Sequence, residues 1–327
     1  MQEEQKLERD GKECDIGKIA RLHRLIKIRM KLIACSILGK LDFQTILWMN
    51  RKREPIDIDH PKTFDDKMWY MKKHFYSSLV EKCADKVTVR DYVKECGLED
   101  ILVPLYGIYD SLDEVDFQLL PEECYIKCNH SSGYNYLYRK NRTDEKWLKQ
   151  LFHLYQKYNY YAVKREWSYK NTVPRIVLEK KLQSKNGQPL LDYRLFCFHG
   201  VLRLVMVNKG TTTSEGEHAS GVQRSFYTSD FERIPDITIM GDSPSPLKLD
   251  KPQGWNRMVD VAQILSKPFA FCRIDLYNID GKVYLSEMTF FPNSGVNRFQ
   301  PYEWALRLGE WIDLAKCQIS PVYHFIE

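Results

Sequence analysis

Apolar residues recur along this chain at two periods, and the two periods alternate from one segment to the next. Helical spacing marks the stretch from Thr63, a capping residue, through Met71, and then Lys86 to Cys96, which Gly97 stops. It returns in Asp144 to Tyr158, where Leu148, Leu151, Phe152 and Tyr155 share a face, and again in Met258 to Lys267. Short apolar runs between turn residues mark strands at Leu102 to Tyr109, Cys124 to Cys128, Tyr136 to Arg139 and Ile176 to Glu179. Leu191 to Phe198 and Leu202 to Asn208 form a hairpin about His199-Gly200, and Gly210 to Gly221 reads as a polar loop. Phe271 to Tyr277 and Val283 to Glu287 form a second hairpin. Beyond Ile176 the pattern calls for hairpins and a single further helix. Antiparallel hairpins with helices on their faces predict an α+β fold.

The last hairpin carries the chemistry. Asp275 and Glu287 stand on its two strands, with Arg273 nearby and the polar loop Pro292-Asn293-Ser294-Gly295 just downstream. Magnesium that bridges nucleotide phosphates is held by one or two carboxylates, so two acids on one face would suit it. The turn decides whether they share a face, because side chains alternate along a strand. A two-residue loop at Asp280-Gly281 would set Asp275 opposite Ser286 and turn Glu287 away. A type I turn on Asn278 to Gly281 followed by a glycine bulge sets Asp275 opposite Leu285 and Arg273 opposite Glu287, all on one face. Asn at the first turn position and Gly at the fourth favour the second register. A plain Arg–Glu cross-strand pair is the bland alternative.

Other groups fit the same chemistry. Lys127 precedes His130-Ser131-Ser132-Gly133, a small-residue loop whose N–H groups could approach phosphate, although no P-loop pattern is present. Glu179 ends an apolar strand, and Asp192 and Arg194 share a face at the start of the next hairpin. Each has an ordinary reading as a polar turn, a strand end or a cross-strand pair.

At 327 residues and 43% hydrophobic the chain can bury a large core. Its nine cysteines are scattered and form no Cys-x-x-Cys pair, which indicates a reducing compartment rather than disulfides or zinc. The net charge of +5 is concentrated in one arm. Lys18, Arg21, Arg24, Lys27, Arg29, Lys31, Lys40, Arg51, Lys52 and Arg53 face only Asp42, and aliphatic residues alternate with them at helical spacing. Such a basic amphipathic arm lies on an anionic membrane surface or packs on the main domain with its lysines in water. Its longest apolar run, Leu32 to Leu38, is too short to span a bilayer, and the acidic start is wrong for a signal peptide. A cytoplasmic protein follows, with peripheral attachment at the inner membrane face as the membrane reading of the arm. Charge confined to one arm, rather than interleaved with aromatics on a sheet, argues against nucleic acid.

Several short motifs occur in a telling order. Thr63-Phe64-Asp65-Asp66-Lys67 and Lys82-Cys83-Ala84-Asp85-Lys86 come first, then Ile101-Leu102-Val103-Pro104-Leu105-Tyr106-Gly107 and Ile126-Lys127-Cys128-Asn129-His130-Ser131-Ser132-Gly133. Lys164-Arg165-Glu166-Trp167-Ser168-Tyr169-Lys170-Asn171 and Leu191-Asp192-Tyr193-Arg194-Leu195-Phe196-Cys197-Phe198-His199-Gly200 follow, and Arg273-Ile274-Asp275 through Glu287-Met288-Thr289-Phe290 closes the series. From about residue 55 onward the chain thus resembles the TupA-like (teichuronopeptide-biosynthesis type) ATP-grasp family of bacterial surface-polysaccharide loci.

That resemblance implies an ATP-grasp fold, two α+β subdomains with mainly antiparallel sheets sandwiching the nucleotide, behind a basic helical arm at residues 1–54. In the catalytic domain, 55–327, it implies a nucleotide-loop subdomain at about 111–178 and a metal-binding one at about 179–310. It assigns Lys86, Lys127, His130, Ser131, Ser132, Gly133, Glu179 and Asp192 to ATP, and Asp275, Glu287 and Thr289 to Mg²⁺. Thr289 stands where many ATP-grasp enzymes carry Asn. Arg165, Arg194 and Arg273 become the catalytic cations, with Lys170 and Arg298 as further ones. The implied reaction joins a uronic acid in a glycan, or in its lipid-linked or nucleotide-linked precursor, to an amino acid or small amine through an acyl phosphate. Phosphate transfer to the glycan and a non-catalytic nucleotide- or glycan-binding role, including a glycosyltransferase-like one, stay open beside it.

Overall fold

The computed structural model describes residues 2–51, 56–131, 133–184, 187, 189–211, 221–239, 241–243 and 245–326, with side chains from residue 17 and without those of 50 and 51. Ser132, Lys52, Arg53 and most of the Gly210–Gly221 loop lie outside the described residues. The chain opens with α1 (Gln2–Leu38) and α2 (Phe43–Arg51). Then comes α3 (Phe64–His74), begun by a capping box in which Thr63 accepts from Asp66 N and the Asp66 carboxylate accepts from Thr63 N. Two short helices follow, α4 (Ser78–Ala84) and α5 (Val89–Glu95). The helix expected over Lys86–Cys96 is therefore shorter, because Asp85 accepts from Val87 N in a tight turn that holds Lys86 outside it.

Strands β1 (Leu105–Tyr109), β2 (Glu123–Cys128), β3 (Asn135–Arg139) and β4 (Ile176–Lys180) form an antiparallel sheet in the order β1-β4-β2-β3. Between β3 and β4 lie α6 (Glu145–Gln156) and α7 (Tyr160–Lys164). Asp144 caps α6 through Trp147 N, and its Leu148, Leu151, Phe152 and Tyr155 pack on Ile126, Cys128 and Leu178. Ile28 and Cys35 of α1 belong to this same core, so one face of the arm is packed on the domain.

The second sheet is antiparallel and six-stranded. It contains β5 (Asp192–Phe198), β6 (Val201–Lys209), β7 (Gln223–Tyr227), β8 (Arg233–Ile234), β9 (Phe271–Ile279) and β10 (Lys282–Thr289), in the order β10-β9-β5-β6-β7-β8. Helix α8 (Trp255–Ser266) buries Met258, Val261, Ala262 and Leu265 in the larger core, where Phe64 meets Phe271 and Phe299 edge to face and Phe196 meets Phe299 likewise. Two further helices close the chain, α9 (Tyr302–Glu310) and α10 (Leu314–Gln318), where the pattern had called for none. No helix among the described residues is long and apolar enough to cross a membrane.

Candidate active site between the two sheets

The β9–β10 hairpin brings its acids together by a route other than the expected one. The turn is the two-residue loop Asp280-Gly281, both at positive φ (53° and 87°), with Ile279 opposite Lys282. Carried through unbroken, that register would turn Glu287 away. A bulge at Ser286 restores it: Leu276 pairs with Leu285, but Asp275 pairs with Glu287 and Arg273 with Thr289. The type I register with Asp275 opposite Leu285 is thus corrected, while the shared face it was meant to produce is present.

On that face Arg273 grips Asp275 with two hydrogen bonds (Nε–Oδ1 2.7 Å, Nη2–Oδ2 2.6 Å) and donates to Thr289 Oγ1 (3.1 Å). The Thr289 hydroxyl in turn donates to Glu287 Oε1 (3.2 Å). From the neighbouring strand Arg194, opposite Asp275, bonds Asp192 (2.8 Å) and lies 3.7 Å from Asp275. Lys86 spans to the other sheet: its ammonium donates to Ser131 O (2.8 Å) and stands 3.7 Å from Glu287. Burial would raise Glu287, but Lys86, Arg273, Arg194 and the Thr289 hydroxyl outweigh it and bring it down to about 2. Asp275 is 2% exposed, and there burial prevails over both guanidiniums and pushes its pKa up to about 6.

Across the gap, Lys127 and Glu179 sit on adjacent strands and form an ion pair (2.5 Å). Burial opposes the Lys127 charge, yet Glu179, Tyr277 and Glu287 raise its pKa. Lys127, Glu179 and Glu287 line one cavity of about 440 Å³ together with Lys86, Tyr125, Asn135, Tyr277 and the described residues of the connector after β4, Lys180 to Ser184, Gly187, Pro189 and Leu190. The connector was not singled out in the sequence, although Glu179-Lys180-Lys181-Leu182, leaving a buried strand, was its available signal.

His130 and Ser131 follow β2 on a turn whose start is fixed by buried Asn129, which donates to Asp85 and Val173 O and accepts from Arg175 N. Both imidazole nitrogens of His130, Ser131 Oγ and Asn135 Oδ1 are buried without a hydrogen-bond partner. Orphaned groups of this kind are costly unless a ligand or water satisfies them. Gly133 takes positive φ (82°) at the end of the turn. Burial and the Lys86 charge push His130 down to about 4. Unfolded, it titrates near 6.5, so the unfolded chain takes up a proton first. Stability is therefore expected to fall as pH drops from about 6.5 to 4, by about 3 kcal/mol in all. His130→Gln should flatten that limb of a pH–melting profile.

Arg165 is not brought to this cluster. It occupies the left-handed C-cap of α7 (φ 53°), and its guanidinium donates to the carbonyls of Ala162, Leu38 (2.9 Å) and Leu41 (2.5 Å), tying the arm to the domain. Lys170 is exposed and lies over the Tyr161 ring. Arg298 lines a separate groove.

The residues fit a magnesium nucleotide. Glu287 offers a hard oxygen ligand at the cavity wall with Asp275 paired to it across the hairpin, cations surround them, and Asn135, whose buried Oδ1 has no hydrogen-bond partner, lines the same cavity. Among the described residues no group of three or more His, Cys, Asp or Glu is placed to hold a metal ion.

Two antiparallel sheets closing on such a cavity define an ATP-grasp fold. The chain belongs to the TupA-like ATP-grasp family, whose sequence model matches residues 66–313. Among solved structures it is similar to D-alanine–D-alanine ligase from Bacillus anthracis, with 14% identity over 82% of this chain and 84% of that one, at a TM-score of 0.44. It is also similar to D-cycloserine synthetase DcsG, with 16% identity over 71% and 70% and a TM-score of 0.42. A comparison with curated protein sequences found no match.

Proposed function

We propose that the protein is an ATP- and magnesium-dependent carboxylate–amine ligase of surface-polysaccharide biosynthesis. It would form an amide on a uronic acid, in the glycan or in its lipid-linked or nucleotide-linked precursor, using an amino acid or small amine. The observation that carries the reading is the cavity in which Glu287, bonded by Thr289 and backed by the Arg273–Asp275 pair on the same hairpin, meets Lys86, Lys127 and Glu179. Names of similar structures, a D-alanine–D-alanine ligase and a D-cycloserine synthetase, are in keeping with it.

Each group has a task in that chemistry. Asp275 and Glu287 would hold Mg²⁺, which supplies charge neutralisation at the phosphates. Lys127 and Lys86 present fixed cations to the phosphate chain, and Lys86 also ties Glu287 to the loop at Ser131. Arg273 and Arg194 surround the acids and would meet charge that develops on the carboxylate under attack. Glu179, beside the connector, would face the adenine or ribose edge.

A groove of about 540 Å³ suits the acceptor. Asn293, Asn297 and Arg298 line it, amide and guanidinium groups that match a carboxylated sugar, beside an Arg224–Asp242 ion pair (2.6 Å). The Pro292–Gly295 turn, which gives the groove Asn293, is held at positive φ in Asn293 (47°) and Ser294 (58°), neither of them glycine. Lys72 clamps that turn by donating to Ser294 O (2.6 Å), and the Ser294 hydroxyl donates to Glu166 (2.6 Å). Backbone forced into such conformations by its surroundings is a mark of ligand sites. A lipid-linked precursor is built at the inner face of the cell membrane, so the reading places the protein there.

Lys127→Ala is expected to weaken nucleotide binding or slow turnover by about tenfold or more, on the scale of a lost electrostatic contact of ~2–4 kcal/mol. Titration with a non-hydrolysable ATP analogue reads the first effect. The reaction itself is tested by ADP release, which should require a uronic acid and an amine together. ADP release with a glycan alone and a phosphorylated sugar as product would favour phosphotransfer instead.

A further inference from the structure

Helix α1 packs one face on the domain and leaves the other bare. On the packed face Ile28 and Cys35 are buried, Arg21 bonds Asp144 (2.9 Å) and Arg24 bonds Tyr155 Oη (2.8 Å). On the opposite face Ile19, Leu22, Ile26, Met30, Ile33 and Ile37 are each 48–68% exposed. At about 100° per residue these six fall within an arc of about 80°, in a stripe about 27 Å long. Single exposed aliphatics are ordinary, but a continuous line of six marks a binding surface. Trp48 and Met49 of α2 are exposed as well.

Charge selects the occupant. Exposed Lys27 and His23 border the stripe on one side, exposed Lys18 and Arg29 on the other, and Lys40 lies just past its end. From Gly17 to Leu41 there is no Asp or Glu. A second copy docking by this stripe would set basic edge against basic edge with no acid in the stretch to answer them. An anionic bilayer complements both features at once, since its acyl boundary takes the aliphatic side chains and its headgroups take the lysines and arginines.

We propose that α1 lies in the plane of an anionic membrane surface, its Ile19–Ile37 stripe in the headgroup–acyl boundary, while its inner face stays on the domain. The sequence left membrane contact and domain packing as rivals; the two faces of the helix let both hold. This inference does not depend on the reaction in the cavity, because vesicle binding needs neither ATP nor an acceptor.

The test is co-sedimentation of the full chain with vesicles of phosphatidylcholine alone and of phosphatidylcholine with phosphatidylglycerol, at low and high salt. Binding is expected only to the phosphatidylglycerol vesicles and should fade as salt screens the basic edges. The variant carrying Ile26→Asp and Ile33→Asp should lose about tenfold or more of that binding, with an unchanged melting temperature because both positions face water. Lys27→Glu with Arg29→Glu should remove the preference for anionic lipid. Failure of the intact protein to bind either vesicle would overturn the proposal. So would a dimer in light scattering that the Asp variant converts to monomer, since a second copy would then cover the stripe.

Discussion

Glu287→Gln is expected to reduce ATP-dependent turnover by about 10³-fold while leaving the melting temperature nearly unchanged. Glu287 is held ionised by Lys86, Arg273 and Arg194 against the cost of burial, with a pKa of about 2. Three cations, with a hydrogen bond from Thr289, thus keep a carboxylate on the cavity wall charged, and a charge so maintained is available to a divalent cation at any ordinary pH. The amide keeps the shape and can still accept from Thr289, so the fold loses little. What it would lose is the negative oxygen ligand proposed for Mg²⁺, and with it part of the charge neutralisation the ion would supply at the phosphates. Turnover and a thermal melt on the same preparation check both halves. Turnover within a few-fold of the parent would remove Glu287 from the metal site.

Arg273→Leu should abolish turnover and also destabilise the fold by about 3–5 kcal/mol, a melting shift of roughly 5–15 °C. Its guanidinium makes both short bonds to Asp275, which is buried, and links Thr289 to the cluster. Without it Asp275 is left with Arg194 at 3.7 Å and with Asp192 and Glu287 as like charges nearby. The larger part of the loss comes from the stranded carboxylate rather than from the missing bonds. A second variant separates the two roles. Arg273→Leu combined with Asp275→Asn removes the stranded charge and should recover most of the stability but none of the turnover. If the double variant melts as low as the single one, packing rather than charge explains the loss.

Much of this site was legible because its residue types are specific and its strands are short and strongly patterned. Asp275, Glu287 and Arg273 were placed on one hairpin by alternation and turn residues, and Lys127 and Glu179 each on a short strand, but the pairing of those two strands, which are not consecutive in the chain, was not read. The register could not be read: a two-residue turn and a bulge at Ser286 together produce the same face as the longer turn, and nothing in the local sequence distinguishes them. Arg165 was drawn to the site by its charge, but its partners are the carbonyls of Leu38 and Leu41, more than 120 residues away. Contacts of that separation leave no periodic trace. Helices α4 and α10 have seven and five residues, too few to establish a period. In α9 only Ala305, Leu308 and Gly309 are buried, and this sparse apolar face gives little signal. The arm was read correctly as basic and amphipathic, but composition could not show that its two apolar faces have different fates.

The most direct test of ligation through an acyl phosphate follows one oxygen atom. A uronic acid acceptor carrying ¹⁸O in its carboxylate is incubated with ATP, magnesium, an amine and the protein, and the released phosphate is examined by mass spectrometry. Activation places a carboxylate oxygen between carbon and phosphorus, and attack by the amine expels that oxygen with phosphate. One ¹⁸O per inorganic phosphate, matched by one amide per ADP, is the predicted result. Inorganic phosphate free of ¹⁸O, or phosphate retained on a sugar whose carboxylate still holds both labelled oxygens, would contradict it.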